Sequence, residues 1–131
     1  MFYSGTKNQK HEHGVGFIVK NSMVNSVKKI EPISDKNCYL QISGKILDVV
    51  FINCYAPTES AENNTKDDFY DSLERTFDKL PRNCITIIVG DLNVEVCREE
   101  VFQRTAEKES LHLESNSNRI RLISFAASKD L

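Results

Sequence analysis

Asp91, Asn93 and Tyr55 are the residues of this chain best suited to chemistry. Asp91 and Asn93 stand two residues apart in Gly90-Asp91-Leu92-Asn93, directly after the apolar run 85–89. In an extended segment alternate side chains point the same way, so the two can converge on one ligand if the chain stays extended beyond Gly90. A carboxylate there can orient and deprotonate a water, general-base work typically worth about 10²–10⁴-fold. A carboxamide can donate a hydrogen bond to a phosphoryl oxygen as negative charge builds on it. Tyr55 belongs to a second segment, Asn53-Cys54-Tyr55-Ala56-Pro57, which follows the largely apolar run 46–52. Its phenol can donate to the same group. Spacing alone favours a plainer reading, in which Gly-Asp-x-Asn is a common polar turn and Tyr55 an ordinary half-buried aromatic.

The elements that must hold these residues follow from apolar periodicity. Residues 1–13 are polar and read as loop or frayed terminus, and 14–20 (GVGFIVK) as a strand. Residues 24–33 suggest a half-exposed irregular strand. Residues 38–42 and 46–55, joined by the turn Ser43-Gly44-Lys45, form a hairpin. Val49, Val50, Phe51 and Ile52 are consecutive apolar residues, which implies burial on both faces. Thr65 starts a helix, with Asp68 completing an acidic capping box and Asp67, Asp68 and Asp71 near the positive helix end. Phe69, Leu73, Phe77 and Leu80 form its apolar stripe, and Pro81 stops it. Residues 84–89 then read as a second buried strand, and strand–helix–strand in this order implies a crossover unit. Residues 94–117 read as a surface loop. Asn118 caps a last helix through Ala127 that turns Ile120, Ile123 and Ala127 inward. The result is one α/β domain with a mixed sheet.

Composition narrows the function classes. Seventeen Lys and Arg against nineteen Asp and Glu give a formal net charge of −2, which disfavours a pure nucleic-acid-binding module relying on a basic excess. Phosphate chemistry needs only a local cationic centre or a metal, so an enzyme is not disfavoured. None of the four cysteines forms a C-x-x-C pair, which argues against a zinc knuckle, and a reducing intracellular setting, nucleus or cytoplasm, is simplest. No apolar run approaches the length of a membrane span, and the first ten residues lack a signal-peptide core. His11 and His13, the Glu95/Glu99/Glu100 cluster, and the small basic groups Lys28-Lys29 and Arg119/Arg121 read as solvated surface.

The ordered set GVGF, INCYAPTE, an amphipathic helix, ITIIVGDLNV and LHLESNSNRIRLISFAASKDL resembles the endonuclease/exonuclease/phosphatase family. Within it the likeness is to the endonuclease domain of non-LTR retrotransposons and to the craniofacial development protein 2-like chains related to them. The resemblance implies a four-layer α/β sandwich, two mixed sheets with flanking helices, truncated here at both ends. It implies magnesium-dependent hydrolysis of phosphodiester bonds, with nucleic acid, DNA foremost, as partner and no membrane. On this likeness Asp91 positions the attacking water, Asn93 holds the phosphate and lies near the metal, Tyr55 contacts the scissile phosphate, and Asn53 supports the loop. The family's metal-binding Glu would lie before Met1 and its closing Ser-Asp-His beyond Leu131. Hydrolysis by this chain alone is therefore expected to be negligible. The alternative is a non-catalytic interaction or developmental protein that keeps the fold.

Overall fold

The structure, a computed structural model, describes residues 2–5, 14–94 and 117–131. Strands β1 (Phe2–Gly5) and β2 (Gly14–Phe17) pair antiparallel, so part of the stretch expected as loop is strand. A 3-10 helix at Asn21–Ser26 leads into β3 (Val27–Pro32), which replaces the single irregular strand expected over this region. Then come β4 (Asn37–Ile42), β5 (Asp48–Tyr55), α1 (Asn63–Lys79), β6 (Cys84–Asp91) and α2 (Ser117–Ser128). The expectation for 94–117 falls almost wholly outside the described residues.

The main sheet is mixed, in the order β3-β4-β5-β6. β4 and β5 form the antiparallel hairpin expected, and β5 and β6, separated by α1, run parallel. This is a mixed α/β architecture with flanking helices.

One face of the sheet carries the core. Val50, Ile52 and Cys54 of β5, with Tyr39 of β4, pack against Phe69, Tyr70 and Leu73 of α1 and Phe125 of α2. Leu73 is wholly buried, as the helical stripe requires. The same stripe turns Thr76 inward, where its hydroxyl donates to the Ser72 carbonyl. The helix starts earlier than Thr65: Glu62 stands at the N-cap without a side-chain cap, so Thr65 and Asp68 form no capping box. Asp67 and Asp68 accordingly lie beyond the first turn, and Asp67 pairs instead with Arg121 of α2 at 2.8 Å.

The second face belongs to the alternate residues. β2 packs over β4 and β5, and Asn53 of β5 donates to the Gly16 carbonyl at 2.8 Å, tying the small sheet to the large one. Leu40 and Cys38 of β4 are buried there. Val49 and Phe51 are only half-buried, so β5 alternates rather than being sealed on both sides. β6 departs further from expectation: Ile85, Ile87 and Val89 are 48%, 39% and 37% exposed. An apolar run shows that a strand can be buried, not that a layer covers both faces.

The phase of α2 also differs from the sequence reading. Ile120, Ile123 and Ala127 are exposed, whereas Phe125 and Asn118 are buried and Leu122 packs against the core. A polar residue, Asn118, occupies the innermost position of the helix start, and hydropathy patterning cannot register that.

Candidate functional site

Parallel pairing of β5 and β6 brings two carboxyl-terminal strand ends to one edge of the sheet, where ligands of open α/β sheets gather. Tyr55 is the register partner of Asp91, and Asn53 of Val89. Residues in register on neighbouring parallel strands share a face, so Tyr55, Asp91 and Asn53 all belong to the face away from the helices. The edge is locked by main chain: the Ala56 N–H donates to the Asp91 carbonyl at 2.8 Å, and the Tyr55 N–H to the Lys36 carbonyl at 2.9 Å.

Gly90 makes this approach possible. Its φ is +123°, and a Cβ there would collide with the backbone carbonyl of Cys54 on the neighbouring strand. Beyond it the chain does not stay extended. Asn93 adopts φ +47°, and its N–H donates to Asp91 Oδ1 at 2.9 Å, closing an Asx turn. The Asn93 Nδ2 donates to the Ala56 carbonyl at 2.7 Å. Asp91 and Asn93 are therefore brought together by a turn rather than by strand alternation. One carboxylate oxygen and one amide hydrogen are spent on holding the loops, and Asp91 remains exposed.

A polar knot supports this turn from below, built on Asn118, which the sequence offered as the cap of the last helix and which instead lies inside α2. Asn118 is fully buried, and its Nδ2 donates to the Pro57 carbonyl at 2.8 Å and the Asn93 carbonyl at 3.4 Å. The Glu59 carboxylate caps α2, accepting from the Ser117 N–H at 2.9 Å and the Asn118 N–H at 3.2 Å. An anion at a helix N-terminus meets both unpaired N–H groups and the helix dipole. The buried Lys66 ammonium bonds the Glu59 carbonyl, its carboxylate and the Ser117 hydroxyl. Burial alone would raise the Glu59 pKa, but the N–H groups of Asn118 and Ser117, the Ser117 hydroxyl and Lys66 outweigh it and hold the carboxyl below its ordinary value. The partners lie 58 and 59 residues away in sequence, so no local motif announces them.

The two buried thiols of the sheet, Cys54 and Cys38, offer no nucleophile at neutral pH. Burial pushes Cys54 up to about 12 and Cys38 up to about 11. Magnesium takes octahedral oxygen ligation, usually from one or two carboxylates, substrate phosphate and water. Asp91 is the carboxylate at this edge, with one oxygen already engaged, and Glu59 is committed to the α2 cap. Among the described residues no group of three or more His, Cys, Asp or Glu side chains could hold a metal. The described residues do not fit a resident magnesium ion by themselves.

Fold and site together define a mixed α/β unit with Asp91, Asn93 and Tyr55 at the ends of two parallel strands. Among proteins of known sequence, the chain is similar to craniofacial development protein 2 of Tragulus javanicus and of Bos taurus, at 27% identity over 125 residues in each case. The likeness covers 95% of this chain and 21% of each relative, so the chain spans about a fifth of the length of the curated relatives it matches. No family profile matches the chain. Among the described residues no helix is long and apolar enough to cross a membrane.

Two outcomes are expected from this geometry. Gly90→Ala must both adopt a positive φ and displace the Cys54 carbonyl, so urea denaturation should show a loss of about 2 kcal/mol or more; an unchanged midpoint would contradict the close approach. The second concerns pH. Folding keeps Glu59 ionised to lower pH than in the unfolded chain, where Glu titrates near ~4.3. Its contribution is full above about pH 5 and is lost as acid protonates the folded carboxylate. The stability gap between wild type and Glu59→Gln should narrow on acidification from neutral to about pH 3. A gap independent of pH would refute the ionised cap.

Proposed function

We propose that the strand-end cluster is a phosphodiester-handling site of the endonuclease/exonuclease/phosphatase kind, acting on nucleic acid, DNA foremost. The observation that carries this reading is the in-register placement of Tyr55 beside Asp91, with Asn93 folded against Asp91 by the Asx turn. The similarity to craniofacial development protein 2 and the ordered motifs of the sequence support it. In this reading Asp91 orients and deprotonates the attacking water through its remaining lone pairs. The second Nδ2 hydrogen of Asn93 and the Tyr55 phenol are the donors toward the phosphoryl oxygens. Asn53 acts at a distance, fixing β5 against β2.

In that class of reaction a divalent cation supplies Lewis-acid stabilisation of the phosphate when bound. The residues described here do not supply its ligand set, so the proposal assigns them the water and phosphate side of the chemistry and not turnover by themselves. A general base alone contributes about 10²–10⁴-fold. A second reading, an interaction protein that retains the fold, is favoured by the exposed apolar row on β6.

A charge test separates the two. An anionic Asp91 beside a phosphate opposes binding, and two unit charges at 4 Å in water interact by about 1 kcal/mol, or about fivefold in affinity. By fluorescence anisotropy at low salt without metal, Asp91→Asn should bind a short thymidine oligonucleotide about fivefold more tightly than wild type. High salt should erase the difference. Equal affinities for the two proteins would remove the phosphate from this edge.

A further inference from the structure

Asn118 is the second residue of α2 and has no exposed surface. Its main chain is held from two sides. The N–H donates to Glu59 Oε2 at 3.2 Å, and the carbonyl accepts from the Tyr70 hydroxyl of α1 at 3.4 Å. The side-chain amide is thereby aimed at the two segments that carry the site. Nδ2 has two hydrogens and two acceptors, the Pro57 carbonyl after β5 at 2.8 Å and the Asn93 carbonyl after β6 at 3.4 Å. The Asn93 amide in turn donates to the Ala56 carbonyl at 2.7 Å. Two amides therefore grip successive carbonyls, those of Ala56 and Pro57, directly beyond Tyr55.

We infer that Asn118 is a positioning residue of the strand-end site. Its two-pronged donor clamps the segment after β5 to the turn after β6, and so fixes where Tyr55 stands relative to Asp91 and Asn93. Asn93 needs such support: at φ +47° it occupies a backbone state that costs any residue but glycine energy, and it persists through the bonds on its N–H and its carbonyl. The donor, rather than the bulk of the side chain, carries the role. Asn118 Oδ1 is buried without a partner among the described residues, a cost that an apolar residue of similar size would avoid. Such a residue would fill the space and leave both carbonyls without this bond. The clamp stands on the hydrogen bonds alone, while its effect on nucleic acid rests on the phosphodiester reading.

Amide hydrogen exchange followed by NMR on the full chain tests the clamp, with Asn118→Leu as the variant that lacks the donor. The Ala56 and Asn93 amides both bond Asp91. They should lose about fivefold more protection than the amides of the core residues Ile52 and Leu73, the worth of one hydrogen bond. Affinity for the thymidine oligonucleotide at low salt should fall about fivefold as well. Tyr70→Phe removes the bond to the Asn118 carbonyl and spares the side-chain amide, so it should leave both readouts near wild type.

Asn118→Asp supplies the rescue. Its carboxylate has no donor at neutral pH and should behave like the Leu variant. Burial raises the pKa of such a carboxyl, and acidification to about pH 5 turns it into a neutral donor of the same shape. Protection at Ala56 and Asn93 should then recover in the Asp variant and not in the Leu variant. The charged and titratable groups on the elements packed against position 118 are Glu59, Lys66, Tyr70 and Asp91. Both variants keep them, so their difference at each pH belongs to the substituted side chain. Unchanged protection in Asn118→Leu, equal losses at the site and in the core, or an Asp variant that stays folded without recovering would overturn the clamp. A loss of protection with unchanged oligonucleotide affinity would overturn the positioning role. Should Asp91→Asn show no phosphate at this edge, the phosphodiester reading falls and hydrogen exchange still decides the clamp.

Discussion

Everything at the candidate site depends on one close contact, that of the Gly90 backbone with the Cys54 carbonyl on the neighbouring parallel strand. Parallel strands need a long crossover, here α1, and their reward is that both carboxyl-terminal ends arrive at the same edge. Without a side chain at position 90, β6 can stay in register up to Asp91 opposite Tyr55. Only then can the turn at Asn93 fold back onto Ala56. The polar atoms of Asp91 and Asn93 are exposed or half-exposed, and their placement comes from hydrogen bonds to the main chain of the turn and of the segment after β5.

The second determinant is the polar knot beneath that loop. Asn118, Glu59, Lys66 and Ser117 join the start of α2 to the segment after β5. Buried polar groups are costly unless paired, and a network of this kind is strict about geometry for that reason. It makes the position of α2 a condition for the position of Asn93, so a helix remote in sequence sets the shape of the turn. A purely apolar contact at this place would hold the helix less specifically, since many packings of similar energy are open to it.

Much of this was legible in the residues. β-branched runs and the Ser43-Gly44-Lys45 turn were enough for the β4–β5 hairpin, and Phe69, Leu73 and Phe77 at helical spacing for α1. Gly90-Asp91-Leu92-Asn93 announced a polar strand end, although the pair meets through an Asx turn rather than by alternation. What could not be read was non-local. The exposure of Ile85, Ile87 and Val89 depends on where β2 lies, the inward face of α2 depends on the bonds of Asn118, and Glu59 caps a helix far along the chain. Periodicity reports which side of an element is apolar. It carries no information on whether another layer arrives to cover it, or on which buried polar side chain will find partners.

The central claim is that the ends of β5 and β6 meet a phosphodiester. Backbone amide chemical-shift mapping by NMR, during titration with a short single-stranded DNA at low salt, tests it most directly. The perturbed amides should cluster at residues 53–56 and 90–94 and saturate together. Perturbations confined to other surfaces, with Tyr55, Asp91 and Asn93 unmoved at saturation, would contradict it.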